Sequence, residues 1–146
     1  MSNEPEKKFA PGPRVHADNI EYGDEDAMFM DGKLFTGVAY EVYDNGQVRE
    51  ETSYVNGYEN GLCRDWYRNG QLKEEHVALP GRPADLSTGW HEDGALSYVI
   101  KREFGVRVSH QAWDGHGKLL VDEQLEPGSA NHTELLKLRE TGGPWK

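Results

Sequence analysis

Apolar and polar residues alternate along most of this chain with a period near two. Residues 62–68 and 71–78 show the pattern most clearly, and alternation over that length marks a strand with one covered face. Asn69-Gly70 separates the two stretches. Asn-Gly and Asp-Gly favour the centre of a two-residue type I′ hairpin turn, where both residues need positive φ. The motif recurs as Asp44-Asn45-Gly46, Arg68-Asn69-Gly70, Glu92-Asp93-Gly94 and Gly115-His116-Gly117, with Gly46, Gly70, Gly94 and Gly117 spaced 24, 24 and 23 residues apart. Two residues after each glycine stands Val48, Leu72, Leu96 or Leu119, and four before it Val42, Trp66, Trp90 or Trp113. Gly32, with Met28 before and Leu34 after, is a shortened copy at the front.

Such a period predicts stacked β-hairpins, since one hairpin is marginal alone and its neighbours must supply stability. The expected fold is mainly β: an antiparallel meander over residues 15–126, forming an open, twisted, largely single-layer sheet. With two-residue turns, Trp66 faces Lys73 and Tyr67 faces Leu72 across the hairpin. Val42, Trp66, Trp90 and Trp113 then share one face, opposite Tyr43, Val48, Tyr67, Leu72 and Leu96; a longer turn would exchange the faces. Trp66, Trp90 and Trp113 read as a ladder stacking one hairpin on the next. Residues 1–14, with prolines at positions 5, 11 and 13, read as a flexible arm. Residues 127–146 form a tail with one short helix, about 132–140, begun by a capping box from Asn131 and stopped by Gly142-Gly143-Pro144. Its leucines are expected to cover the last strand.

Val42-Tyr43-Asp44-Asn45-Gly46-Gln47-Val48 and Trp66-Tyr67-Arg68-Asn69-Gly70-Gln71-Leu72, with Tyr54-Val55-Asn56-Gly57 between them, resemble the MORN variant repeat. The arrangement is similar to the YwqK family of bacterial toxin–antitoxin antitoxins, over roughly residues 27–125. The later units depart: a Pro-Gly-Arg-Pro loop lies within residues 79–86, and His91 and Asp114 stand where a second aromatic is expected. The resemblance implies a non-catalytic binding protein, an antitoxin or immunity component that neutralises a toxin by direct contact. A scaffolding repeat protein that binds another cellular protein, or itself through a free sheet edge, is the alternative.

Charge refines the picture. Across 146 residues, Lys plus Arg number 16 and Asp plus Glu 26, a net charge of −10. That balance disfavours nucleic-acid backbones and anionic lipid as partners. Residues 15–60 hold eleven acidic and two basic side chains, so the acidity gathers in the first third of the sheet. Asp18, Glu21, Asp24, Glu25, Asp26, Asp31, Glu50 and Glu51 are the candidate partner-binding residues, a docking surface for a basic protein such as a toxin. A solvated acidic face that keeps the sheet soluble fits the same residues.

Chemistry of other kinds finds little support. Asp24-Glu25-Asp26 is consecutive, whereas calcium loops space their ligands at alternate positions. The six histidines show no paired ligand spacing, and the single Cys63 lies far from each along the chain. Ser109-His110, or Cys63 with His76, lacks the setting of a nucleophile. No catalytic residue, metal or cofactor is expected. Without an apolar leader or an 18-residue apolar run, a cytoplasmic chain with no membrane contact is expected.

Overall fold

The computed structural model describes residues 9–144. Its strands are β1 (Arg14–His16), β2 (Glu21–Tyr22), β3 (Met28–Met30), β4 (Lys33–Leu34), β5 (Gly37–Val42), β6 (Val48–Val55), β7 (Tyr58–Trp66), β8 (Leu72–Ala78), β9 (Leu86–Trp90), β10 (Leu96–Glu103), β11 (Val106–Trp113) and β12 (Leu119–Gln124), followed by one helix, α1 (Ala130–Thr141). Nine strands form an open sheet in the order β1-β5-β6-β7-β8-β9-β10-β11-β12, and β2-β3-β4 form a second, small one. Strands β5 to β12 are an antiparallel meander; β1 alone joins in parallel, with Val15 opposite Ala39. The chain is thus a mainly β, open repeat sheet with a C-terminal helix.

The four anchor glycines close three-residue loops, not the two-residue turns expected. In the second hairpin the Gly70 amide donates to the Tyr67 carbonyl at 3.0 Å and the Tyr67 amide to the Gln71 carbonyl at 2.9 Å. Gly70 has φ +87°, whereas Arg68 and Asn69 keep negative φ. This is a type I turn closed by a left-handed glycine, the usual three-residue hairpin loop. The extra residue shifts the register, so Trp66 lies opposite Leu72, with a bulge between Asp65 and Trp66. The same pairing recurs as Val42 with Val48, Trp90 with Leu96 and Trp113 with Leu119. The Trp and Leu stripes therefore meet across each hairpin instead of occupying opposite faces. Type I′ turns occur at the other ends of the strands, where Asn56-Gly57 and Phe104-Gly105 both have positive φ.

The front copy leaves the repeat sheet. Asp31-Gly32 makes a tight turn between β3 and β4, and this hairpin builds the small sheet. Ile20, Phe35 and Ala39 form a buried cluster, packed by Val15, Met28, Met30 and Tyr54. The core lies here, where the small sheet adds a second layer. Gly57 belongs to the same joint: its amide donates to the Phe35 carbonyl, and its own carbonyl accepts from Met28. The expected arm falls mostly on residues 1–8, outside the described residues. Ala10 already donates to the buried Ser53 hydroxyl at 3.2 Å, and the Ser53 hydroxyl donates to the Leu62 carbonyl at 2.7 Å.

Helix α1 begins earlier than the capping box predicts. Ser129 is its N-cap, accepting from the His132 amide, and left-handed Gly142 ends it. A cap works where its oxygen reaches the amide three residues on, and Ser129 takes that place. Arg139 grips Glu103 through two bonds of 2.7 and 2.8 Å, and the Phe104 ring lies where a Cβ on Gly143 would stand. The helix is thereby fixed to the β10–β11 turn. It does not cover β12, which is exposed at five of its six positions.

Candidate functional site

Successive hairpins are fastened by bonds from one loop to the next. The hydroxyl of Tyr43 donates to the Trp66 carbonyl at 2.7 Å, and that of Tyr67 to the Trp90 carbonyl at 2.8 Å. His91 Nε2 takes the tyrosine's place and donates to the Trp113 carbonyl at 2.9 Å. Asn45 and Asn69 act alongside, each donating its amide to the next loop, at Arg68 and Glu92. Their Oδ1 atoms meanwhile hold their own turns by accepting from the amides of Gln47 and Gln71. Asp93 repeats only the second of these bonds, because a carboxylate has no N–H to donate.

The tryptophans take part through their main chain. Among the described residues, the close ring pairs are His16 with Tyr40 and Phe35 with Tyr54, so no Trp66–Trp90–Trp113 ring stack is present. Asp114, at the last hairpin, accepts from the amides of His116 and Lys118. Those amides hold its carboxyl below the usual range.

This rigid frame sets strand register, and register assembles a row of carboxylates. Glu41 lies opposite Glu50, Glu50 opposite Asp65, and Asp65 opposite Glu74, across four neighbouring strands. Paired positions share a face, and adjacent strands are about 4.8 Å apart. Like charges set directly opposite one another repel and are destabilising. Glu41 is paired with Arg49. Asp65 shows the strain: burial, then Glu50 and Glu74, push its carboxyl above the ordinary value, partly offset by Lys73 and His76. Tyr98 closes the row. Its ring lies over Gly89, where a Cβ would come within 2.2 Å of it. Burial, then the charge of Glu74 and a hydrogen bond to it, push the Tyr98 hydroxyl up to about 12.

One step along the strands, Thr52, Cys63 and His76 form the next row of the same face. Glu50, Thr52, Glu59, Cys63, Arg64, Asp65, Glu74 and His76 line a shallow cleft of about 210 Å³. Cys63 is buried, and its thiol is pushed up to about 11, chiefly by burial. Cys63 and His76, thirteen residues apart and unconnected by any local spacing, thus become cross-strand neighbours. Only the alternation of 62–68 and 71–78 about their shared turn could have announced it.

The sequence-derived acidic set is divided by the fold. Asp18, Glu21, Asp24, Glu25, Asp26 and Asp31 are exposed on the small sheet and its turns. Tyr22 donates to Asp26 at 2.5 Å, and Glu25 and Asp26 both have positive φ. Glu50 belongs to the carboxylate row. Glu51 is on the opposite face, where Arg14 binds it at 2.8 Å. Glu41, Asp65 and Glu74 were not singled out from the sequence, because each is one acidic residue in a mixed strand until its neighbours are known.

Repeated hairpins of one geometry, locked loop to loop, define a β-repeat protein. Residues 35–56 and 59–77 match the MORN repeat variant, the part of the chain whose two loops carry Tyr, Asn and Gln together. Over 110 residues, 75% of this chain and 71% of the relative, it is 51% identical to "Immunity protein YwqK" of Bacillus subtilis (strain 168). The chain belongs to this family of MORN-variant repeat proteins. No solved structure matches it. No helix among the described residues is long and apolar enough to cross a membrane.

Proposed function

We propose that this protein is an immunity component that neutralises a toxin by binding it, with the carboxylate row as the centre of the contact. The in-register row of Glu50, Asp65 and Glu74 carries this reading. A basic partner would relieve its self-repulsion on docking and be steered to it from a distance. The exposed carboxylates of Asp24, Glu25 and Asp26 extend the negative field. The name of the Bacillus relative supports the immunity role, and the ladder of loops supports a rigid, non-catalytic surface. Capture with the tagged chain from its own cells, followed by co-expression of the captured protein in a naive host, tests it. Growth should be restored by the wild-type chain and not by the Glu50→Lys, Asp65→Lys, Glu74→Lys variant, whose binding should also lose its salt dependence. Equal protection by both would sink the charge mechanism.

A second reading is self-association. β12 ends the large sheet, and Leu119 and Leu120 on it are 45% and 60% exposed. Unpaired edges of this kind accept another strand. Light scattering over a concentration series distinguishes a strict monomer from an edge-to-edge dimer.

A further inference from the structure

The face that carries the carboxylate row also gathers three donors of different chemistry. Cys63 and His76 are directly opposed across β7 and β8. Glu59 stands four residues before Cys63 on β7, on the same face by alternation, and an irregularity between Thr52 and Tyr54 sets it opposite Tyr54. The Cys63 sulfur, a His76 ring nitrogen and a Glu59 carboxylate oxygen lie within 4.8 Å of one another. Among the described residues, no hydrogen bond or ion pair engages the His76 ring or the Glu59 carboxylate. The Cys63 thiol donates to the Gly61 carbonyl at a long 3.7 Å. We propose that Glu59, Cys63 and His76 form a binding site for a borderline-soft divalent ion of the zinc class.

Donor type selects the ion. Calcium and magnesium take oxygen ligands, whereas sulfur with imidazole nitrogen and one carboxylate suits zinc. In a tetrahedral zinc site the donors stand about 3.5 Å apart, from metal–ligand lengths of about 2.0–2.3 Å. Donor atoms that already lie within 4.8 Å of one another are close to that spacing, and cross-strand pairing holds Cys63 and His76 side by side. The thiol proton is released to solvent as sulfur binds the metal. Three protein ligands leave the fourth position to water from the open cleft, and Glu50, Asp65 and Glu74 supply a negative field that favours a dication.

Titration of the full, reduced chain with cobalt(II) tests this, since a thiolate–cobalt bond gives an intense charge-transfer absorption. One equivalent should produce the band, and zinc(II) should abolish it. Cys63→Ser should remove the band, and His76→Gln and Glu59→Gln should each weaken binding by about tenfold or more. Circular dichroism confirms that each variant is folded. A wild-type chain that binds cobalt without the thiolate band overturns the site, and so does binding that His76→Gln and Glu59→Gln leave unchanged. Because the wild-type spectrum alone can refute it, the test survives a variant that fails to fold, and a negative result leaves the immunity reading untouched.

Discussion

The Tyr67 hydroxyl donates to the main-chain carbonyl of Trp90, 23 residues further on, at 2.8 Å. Two strand spacings, about 9.6 Å, separate equivalent points on successive hairpins, and a tyrosine in the loop spans the gap where the main chain cannot. This bond explains why the repeat needs an aromatic hydroxyl after its tryptophan, and why histidine at position 91 can replace it.

Tyr67→Phe keeps the ring and deletes the donor. It should lower stability by about 0.5–1.5 kcal/mol, the net worth of one hydrogen bond, read as a lower urea midpoint with unchanged slope. His91→Phe should act in the same direction at the next junction. Tyr40→Phe, whose ring stays against His16, serves as the control outside the ladder.

Two turn glycines should differ although their φ angles match. Gly70→Ala places a side chain in the left-handed region, costing about 1–2 kcal/mol, and its Cβ meets only the end of Gln47 at 3.3 Å. Gly57→Ala carries the same backbone cost at φ +88° and drives a Cβ to 2.9 Å from Ala27 and Leu34 and 3.1 Å from the Met28 carbonyl. Thermal unfolding should therefore show the larger loss at Gly57. Equal losses would mean that the small sheet is not docked through this turn.

Asp65→Asn addresses the carboxylate row. A carboxyl whose folded pKa is raised is easier to protonate in the native state than in the unfolded one, so it favours folding below its ordinary value of 3.8 and loses that contribution as pH rises through the folded pKa. The variant should thus be more stable than wild type near neutrality, and the advantage should vanish in acid below the ordinary carboxylate range. Denaturant midpoints over a pH series check this. Added salt should narrow the neutral difference by screening Glu50 and Glu74.

How much of the fold is legible in the sequence depends on how local its causes are. Gly46, Gly70, Gly94 and Gly117 mark loops by local backbone demand, so the strands and their meander follow from spacing alone. Helix α1 shows in its leucines and its stop at Gly142, while its start is ambiguous in the sequence because Asn131 and Ser129 are both competent caps, and the structure uses Ser129. The faces differ from expectation only beside the loops: a third loop residue, invisible in the Asn-Gly dipeptide, sets Trp66 opposite Leu72, and the bulge at Asp65 then restores the register of a two-residue turn.

The repeat sheet, the places of its turns and its family are thus determined by the amino-acid sequence, since a turn's position depends on nearby dihedral angles and hydrogen bonds, while its loop length does not show in the dipeptide. Which residues stand together on a face was decided only in three dimensions. Glu50, Asp65 and Glu74 become one row, and Cys63 meets His76, through pairing between strands. Side chains alternate with period two, so a single step of register moves a whole set of them to the other side of the sheet.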